Sequence, residues 1–187
     1  MRAALFLTLF LWAASALPQD ARPSEARPLV ITDAVALPLS KSQILQVAAT
    51  SWTYSFGQEP GAKVILVDTA NANIKGVARF NFRSTGVGSR EETMGVISYE
   101  VVVQAENGQC RVRVCHLSHI GNHNAPGGGI DLGLLYADQR PQTKVPGISM
   151  GTANRLHDDM RAHVQARLTE VMKAFFSAMR RAAAQGQ

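Results

Sequence analysis

Past residue 16 the chain has no apolar run approaching the roughly 20 residues that a bilayer-spanning helix needs. A mature protein with its own spanning helices is therefore excluded. No cysteine lies near the start, so there is no attachment point for a lipid anchor. No pattern pairs two carboxylates as general acid and base. Gly127-Gly128-Gly129 is not followed by the Lys and Ser or Thr of a phosphate-binding loop. Charged residues make up only 18% of the chain against 46% apolar, which excludes a disordered polyelectrolyte and implies a globular domain with one core. Acidic residues are the scarcer charge: 14 Asp and Glu against 19 Lys and Arg leave a net charge of +5. That mild excess is compatible with nucleic acid or anionic surfaces and selects neither.

What is present begins with an export pattern. Met1 and Arg2 precede an apolar run from Ala3 to Ala14, and Ala14-Ser15-Ala16 supplies the small residues of a cleavage site. Residues 1–16 read as a signal peptide with the mature chain starting at Leu17, which implies a periplasmic or extracellular protein that is not a lipoprotein. Residues 17–28 hold a near-repeat with prolines at Pro18, Pro23 and Pro28 and charges between them, which suits an extended tether. Residues 29–187 then form a single α+β domain with a Gly-rich insert at 120–151.

Leu29, Ile31, Val35 and Leu37 share one side of a first strand. Ser40 and Gln43 have the spacing of a capping box, with Leu39 and Ile44 as its hydrophobic staple. Ile44, Val47, Ala48, Trp52 and Phe56 recur at helical spacing, and Gly57 and Pro60-Gly61 close that helix. Strands follow at 64–68, 73–83 and 96–105. Ile74, Ala78, Phe80 and Phe82 face one way and Lys75, Arg79 and Arg83 the other. Ile97, Tyr99, Val101 and Val103 face in. Asn107-Gly108 is a hairpin turn in which both residues tolerate positive φ, leading to a fifth strand at 110–117 with Cys110, Val112 and Val114 inward and Arg111 and Arg113 outward. The insert carries one short ordered stretch near 130–136. Leu156, Met160, Val164, Leu168, Val171, Phe175 and Met179 form the stripe of a long last helix. The fold class is α+β: a mostly antiparallel sheet of about five strands with two helices packed on one face.

The Trp52 helix, the Ile74-Lys75-Gly76 strand with its small residues, the Tyr99 strand, the Asn107-Gly108 turn and the Arg111-Val112-Arg113 strand resemble an exported bacterial domain of unknown function with a TATA-binding-protein-like (TBP-like) fold. The resemblance covers roughly residues 29–119 and the last helix. It implies the fold and an envelope location, and it brings no catalytic set and no cofactor. The Gly-rich insert departs from that pattern.

Three motifs point to chemistry. Gly147-Ile148-Ser149-Met150-Gly151 has the G-x-S-x-G spacing of a nucleophile elbow, and His123 to Gly129 resembles an oxyanion loop. No buried strand precedes the serine, however, and His157, Asp158, Asp159 and His163 all lie on the helix that follows it. Asp159 and His163, four apart, are placed to form a surface ion pair. Cys115, His116, His119 and His123 form a soft cluster for zinc or copper; on a regular strand Cys115 and His119 share a face and His116 points away. Cys110 to His116 is a stretched form of the haem-attachment motif C-x-x-C-H, on what reads as strand sequence. The two cysteines, five apart on one strand, are too distant for a disulfide and are expected as free thiols, Cys115 the more reactive.

The chain thus reads as a non-enzymatic binding module working through the basic outer face of the sheet, with Lys75, Arg79, Arg83, Arg111 and Arg113 as the binding residues and Glu100 as the opposing charge. The expected partner is an acidic protein surface or an envelope polyanion. Nucleic acid is not expected, because Phe80, Phe82 and Tyr99 lie on the buried side and leave no aromatic platform. A transition-metal protein using Cys115, His116, His119 and His123, and a serine hydrolase using Ser149, are the alternatives.

Overall fold

The computed structural model describes residues 26–87, 91 and 93–185. The predicted signal peptide and most of the predicted tether lie outside the described residues. The tether's last residues are tied down: Pro28 forms a β-bridge with Tyr136, the Ala137 amide donates to the Arg27 carbonyl, and Arg27 pairs with Asp138 at 2.7 Å.

In chain order the elements are β1 (Ile31–Ala36), α1 (Lys41–Trp52), a 3₁₀ turn (Phe56–Gln58), β2 (Lys63–Asp68), β3 (Asn73–Phe82), β4 (Gly95–Glu106), β5 (Gln109–Gly121), β6 (Gly133–Leu134) and α2 (Met150–Gln185). The sheet runs β1-β5-β4-β3-β2, every neighbour antiparallel, with the short β6 also on β5. β1 and β2 are therefore parallel to each other on opposite edges, and α1 makes the crossing between them.

The amphipathic patterns explain the layers. Every residue of the predicted last stripe, from Leu156 to Met179, is buried. So are the inward sets of β1, β3, β4 and β5, and all join one core with Ile44, Ala48 and Trp52 of α1. Both helices cover the same face of the sheet, as expected. At 36 residues α2 runs about 54 Å, long enough to span the whole sheet.

The local signal holds at the start of α1 and fails at its end, which comes before Gly57. Ser40 and Gln43 make the reciprocal capping box. Phe56 lies outside the helix, which stops at Trp52: the Ser55 hydroxyl donates to the carbonyls of Ser51 and Trp52, and the 3₁₀ turn carries Phe56 back against Trp52 and Phe175, with ring centroids 5.3 and 5.6 Å apart. Val47 is only partly buried. In the β4–β5 turn Gly108 alone takes positive φ (+80°). The Asn107 side-chain oxygen instead accepts from the Lys41 amide, which ties the hairpin to the start of α1.

The insert packs on the domain instead of standing off as a loop. β5 continues to Gly121, β6 pairs with it, and Ile130, Leu135 and Val145 enter the core. No helix among the described residues is long and apolar enough to cross a membrane.

The small residues of β3 have a steric reason. Gly76 sits under the Trp52 indole, and a Cβ there would collide with the ring and stand 2.9 Å from the Lys63 carbonyl oxygen. Gly76→Ala is expected to cost about 1–3 kcal/mol, the usual penalty for overpacking a filled core. Urea unfolding of the variant against the parent measures it, and an unchanged midpoint would contradict the packing described.

Candidate functional site

The helices cover one face of the sheet and leave the other bare. Lys75, Arg79, Arg83, Arg111 and Arg113 are all exposed; strand parity puts Lys75, Arg79, Arg111 and Arg113 on the bare face, and Arg83 lies one residue beyond the end of β3. None of them opposes another directly. Arg113 and Lys75 flank Val102 from either side, Arg111 lies opposite Gln104, and Arg79 lies opposite Ser98. Neutral residues of β4 thus separate the cations, which relieves the repulsion that direct cross-strand pairs would cause. None of the five has an ion-pair partner among the described residues. Acidic residues on this face stand mostly at its margins: Asp68, whose carboxylate accepts from Asn71, and Glu106 at the hairpin. Glu100 is the exception and sits near the middle.

Glu100 marks an irregularity in β5. Ser98 pairs with Ser118 and Glu100 with Cys115, so Tyr99 faces two residues, His116 and Leu117. This is a β-bulge, and its extra residue, His116, takes a left-handed backbone with φ +53°. The bulge reverses the side-chain parity beyond it. Val114 and Leu117 both face the core, whereas Cys115 and His116 come together on the outer face and His119 turns inward. The predicted grouping of Cys115 with His119, and of His116 opposite them, is therefore corrected.

On the outer face His116 Nδ1 lies 3.0 Å from Glu100 Oε2 and 3.8 Å from Cys115 Sγ, and the three donor atoms fit within 4.8 Å of one another. Cys115 is buried despite its outward direction, and burial raises its thiol pKa against a smaller lowering by the Arg113 charge. Cys110 is fully buried on the inner face, and burial pushes its thiol up to about 12. Both cysteines are free. A shallow cleft of about 500 Å³ beside the cluster is lined by Gly61, Val77, Arg79, Ser98, Glu100 and His116.

The other predicted groups disperse. His123 pairs with Asp131 at 3.1 Å, away from Cys115. The stretched haem motif would need both sulfurs on one side, but Cys110 lies on the inner face and Cys115 on the outer. The Ser149 hydroxyl accepts from the Thr152 amide at 3.2 Å and bonds the Thr152 hydroxyl, the position of a helix cap on α2. His157 Nε2 accepts from the Tyr136 amide, and Asp159 accepts from the Ser84 hydroxyl, so neither serves Ser149. The expected Asp159–His163 pair is also absent among the described residues: the His163 ring packs on Phe80 and Phe82.

Two buried polar features escaped sequence reasoning. Glu59, 3% exposed, receives Arg167 of α2 at 2.7 Å, pinning the 3₁₀ turn to the helix. Tyr99 stands near that pair, and its hydroxyl pKa is raised first by burial and then by the Glu59 charge. His119 is fully buried, edge-on to Phe82, with neither ring nitrogen bonded among the described residues. Gly95 makes room for it, since a Cβ there would strike both the imidazole and the Ile120 carbonyl.

No protein-family model matches the sequence, and no curated protein is similar to it in sequence. Solved structures match in shape. A DUF4468 family protein from Bacteroides ovatus superposes with a TM-score of 0.51 at 16% identity, over 82% of this chain and 89% of that one. A TBP-like protein from Parabacteroides distasonis gives 0.50 at 11% identity, over 82% of this chain and 96% of that one. At such identities the likeness is one of fold, and the fold is TBP-like, as the resemblance implied.

The buried imidazole makes stability depend on pH. His119 falls from the ordinary 6.5 to about 4, mainly through burial and despite the Asp131 charge. The unfolded chain therefore takes the proton first. The stabilisation is complete above about pH 6.5 and is lost as pH falls toward 4, a change of order 3 kcal/mol. His157, also lowered by burial, contributes in the same direction. Chemical unfolding at pH 7 and pH 4.5 should show this loss, and His119→Leu should remove most of it. An equal loss in the variant would place its origin elsewhere.

Proposed function

We propose that this TBP-like domain is an exported binding module whose bare sheet face docks an acidic protein surface. The observation that carries the reading is the set of Lys75, Arg79, Arg111 and Arg113 on one face with Arg83 just past the end of β3, all exposed and all without an ion-pair partner among the described residues. A solvated face normally intersperses both signs, whereas this one keeps most of its acidic residues at the edges.

The surface between the cations favours a protein over a flexible polyanion. Val77 and Val102 are half-buried, and Ile120 is exposed on the same side by its pairing with Val96. Aliphatic side chains interspersed with arginines match the usual composition of a protein interface. The apolar run and small-residue cleavage pattern of residues 1–16 support export, which sets the domain among envelope or extracellular partners.

The Arg79→Glu/Arg111→Glu double variant tests this. Both side chains are exposed, so the melting temperature should stay nearly unchanged. Binding to an envelope protein that co-purifies with the mature chain should weaken by roughly tenfold or more and should weaken with salt in the parent. Unchanged binding would remove this face as the docking surface. Retention by heparin with no protein partner would replace the acidic protein by a polyanion.

A further inference from the structure

The geometry points to a zinc-class metal site at the β5 bulge, formed by Glu100, Cys115 and His116. It is independent of the docking role of the basic face. The argument begins with the donor set. A thiol, an imidazole and a carboxylate are the three side-chain types that bind Zn²⁺, and three protein ligands leave one position open. With zinc–sulfur near 2.3 Å and zinc–nitrogen and zinc–oxygen near about 2.0 Å, a tetrahedral ion holds its ligand atoms roughly 3.3–3.6 Å apart. The Nδ1···Sγ and Nδ1···Oε2 separations of 3.8 and 3.0 Å lie within a few tenths of an ångström of those values. The third side of the triangle, from Sγ to the Glu100 carboxylate, is no longer than 4.8 Å, so small side-chain rotations bring all three atoms around one ion.

The backbone explains how these donors come together. Adjacent residues of a regular strand point to opposite faces, so Cys115 and His116 can share a site only if the strand is broken between Val114 and Leu117. The bulge does this and holds His116 at φ +53°, a conformation uncommon outside glycine. Local backbone strain of this kind gathers at ligand sites.

Access and charge agree with this assignment. The His116 and Glu100 side chains are 68% and 46% exposed and border the cleft of about 500 Å³, so an ion can enter and its fourth position faces solvent. On binding, the Cys115 thiol gives its proton to solvent and the thiolate takes the metal. His116 binds through its Nδ1 lone pair with the ring proton on Nε2, and Glu100 binds as the carboxylate. Because binding releases the thiol proton, affinity rises with pH.

The test uses the full mature chain without a His tag, stripped of metal and titrated with Co²⁺ alone, followed by displacement with Zn²⁺. One equivalent should bind with a near-ultraviolet cobalt–thiolate charge-transfer band that Zn²⁺ abolishes. Cys115→Ser should eliminate the band, and His116→Ala and Glu100→Gln should each weaken binding by roughly tenfold or more. Cys110→Ser should leave it intact. His116 and Glu100 lie outside the core, so their variants decide the matter if Cys115→Ser fails to fold. The assignment is overturned by no cobalt binding, by binding without a thiolate band, or by a band that survives Cys115→Ser.

Discussion

The burial of both Val114 and Leu117 on one face of β5 is the constraint from which the rest of the outer surface follows. Three residues apart, they cannot both face inward on a strand whose side chains alternate. Each fills the core completely, so the strand absorbs one extra residue instead of exposing either. His116 takes that position. It joins Cys115 and Glu100 outside, and everything beyond it shifts by one face, so that His119 goes inside against Phe82 and the space left by Gly95. One local departure from period two thus decides which of the polar residues of β5 meet and which are buried alone.

The one-sided sheet gives that departure its setting. α1 and α2 both lie on the inner face, and their contact through Trp52, Phe56 and Phe175 closes the layer. The Glu59–Arg167 pair locks the 3₁₀ turn to α2 within this layer. Among the described residues no helix covers the opposite face, so the cations of β3 and β5 stand in solvent with neutral residues of β4 between them. The metal-competent cluster lies among those cations, with Arg79 on the rim of the same cleft. A basic surface repels a free cation, so thiolate, imidazole and carboxylate ligation must supply the attraction there, while the surrounding arginines favour an anionic ligand at the open coordination position.

Much of this was legible in the chain. The capping box at Ser40 and Gln43, the stripe of α2, the alternation of β3 and β4 and the free cysteines all rest on contacts that are local or strictly periodic, and the sequence displays such contacts directly. Phe56 was misplaced because a serine hydroxyl ended α1 one turn early, a competition between side chain and backbone that spacing does not reveal. The bulge had a signal: apolar residues at Cys110, Val112 and Val114 are followed by Leu117 instead of a residue at 116. Read as a phase break, that step places Cys115 and His116 side by side.

The sequence by itself determined the α+β class, the strands and helices, which side of most strands is apolar, and the presence of a cationic set on β3 and β5. Periodicity encodes these, because burial of one face selects the same residues whatever their neighbours are. Only the tertiary structure decided that β1 and β2 form opposite edges, that the Gly-rich insert packs against β5, and that Glu100 of β4 meets Cys115 and His116. Those relations depend on the register between strands far apart in the chain. Register follows from how the whole core fills, which no single segment of sequence contains.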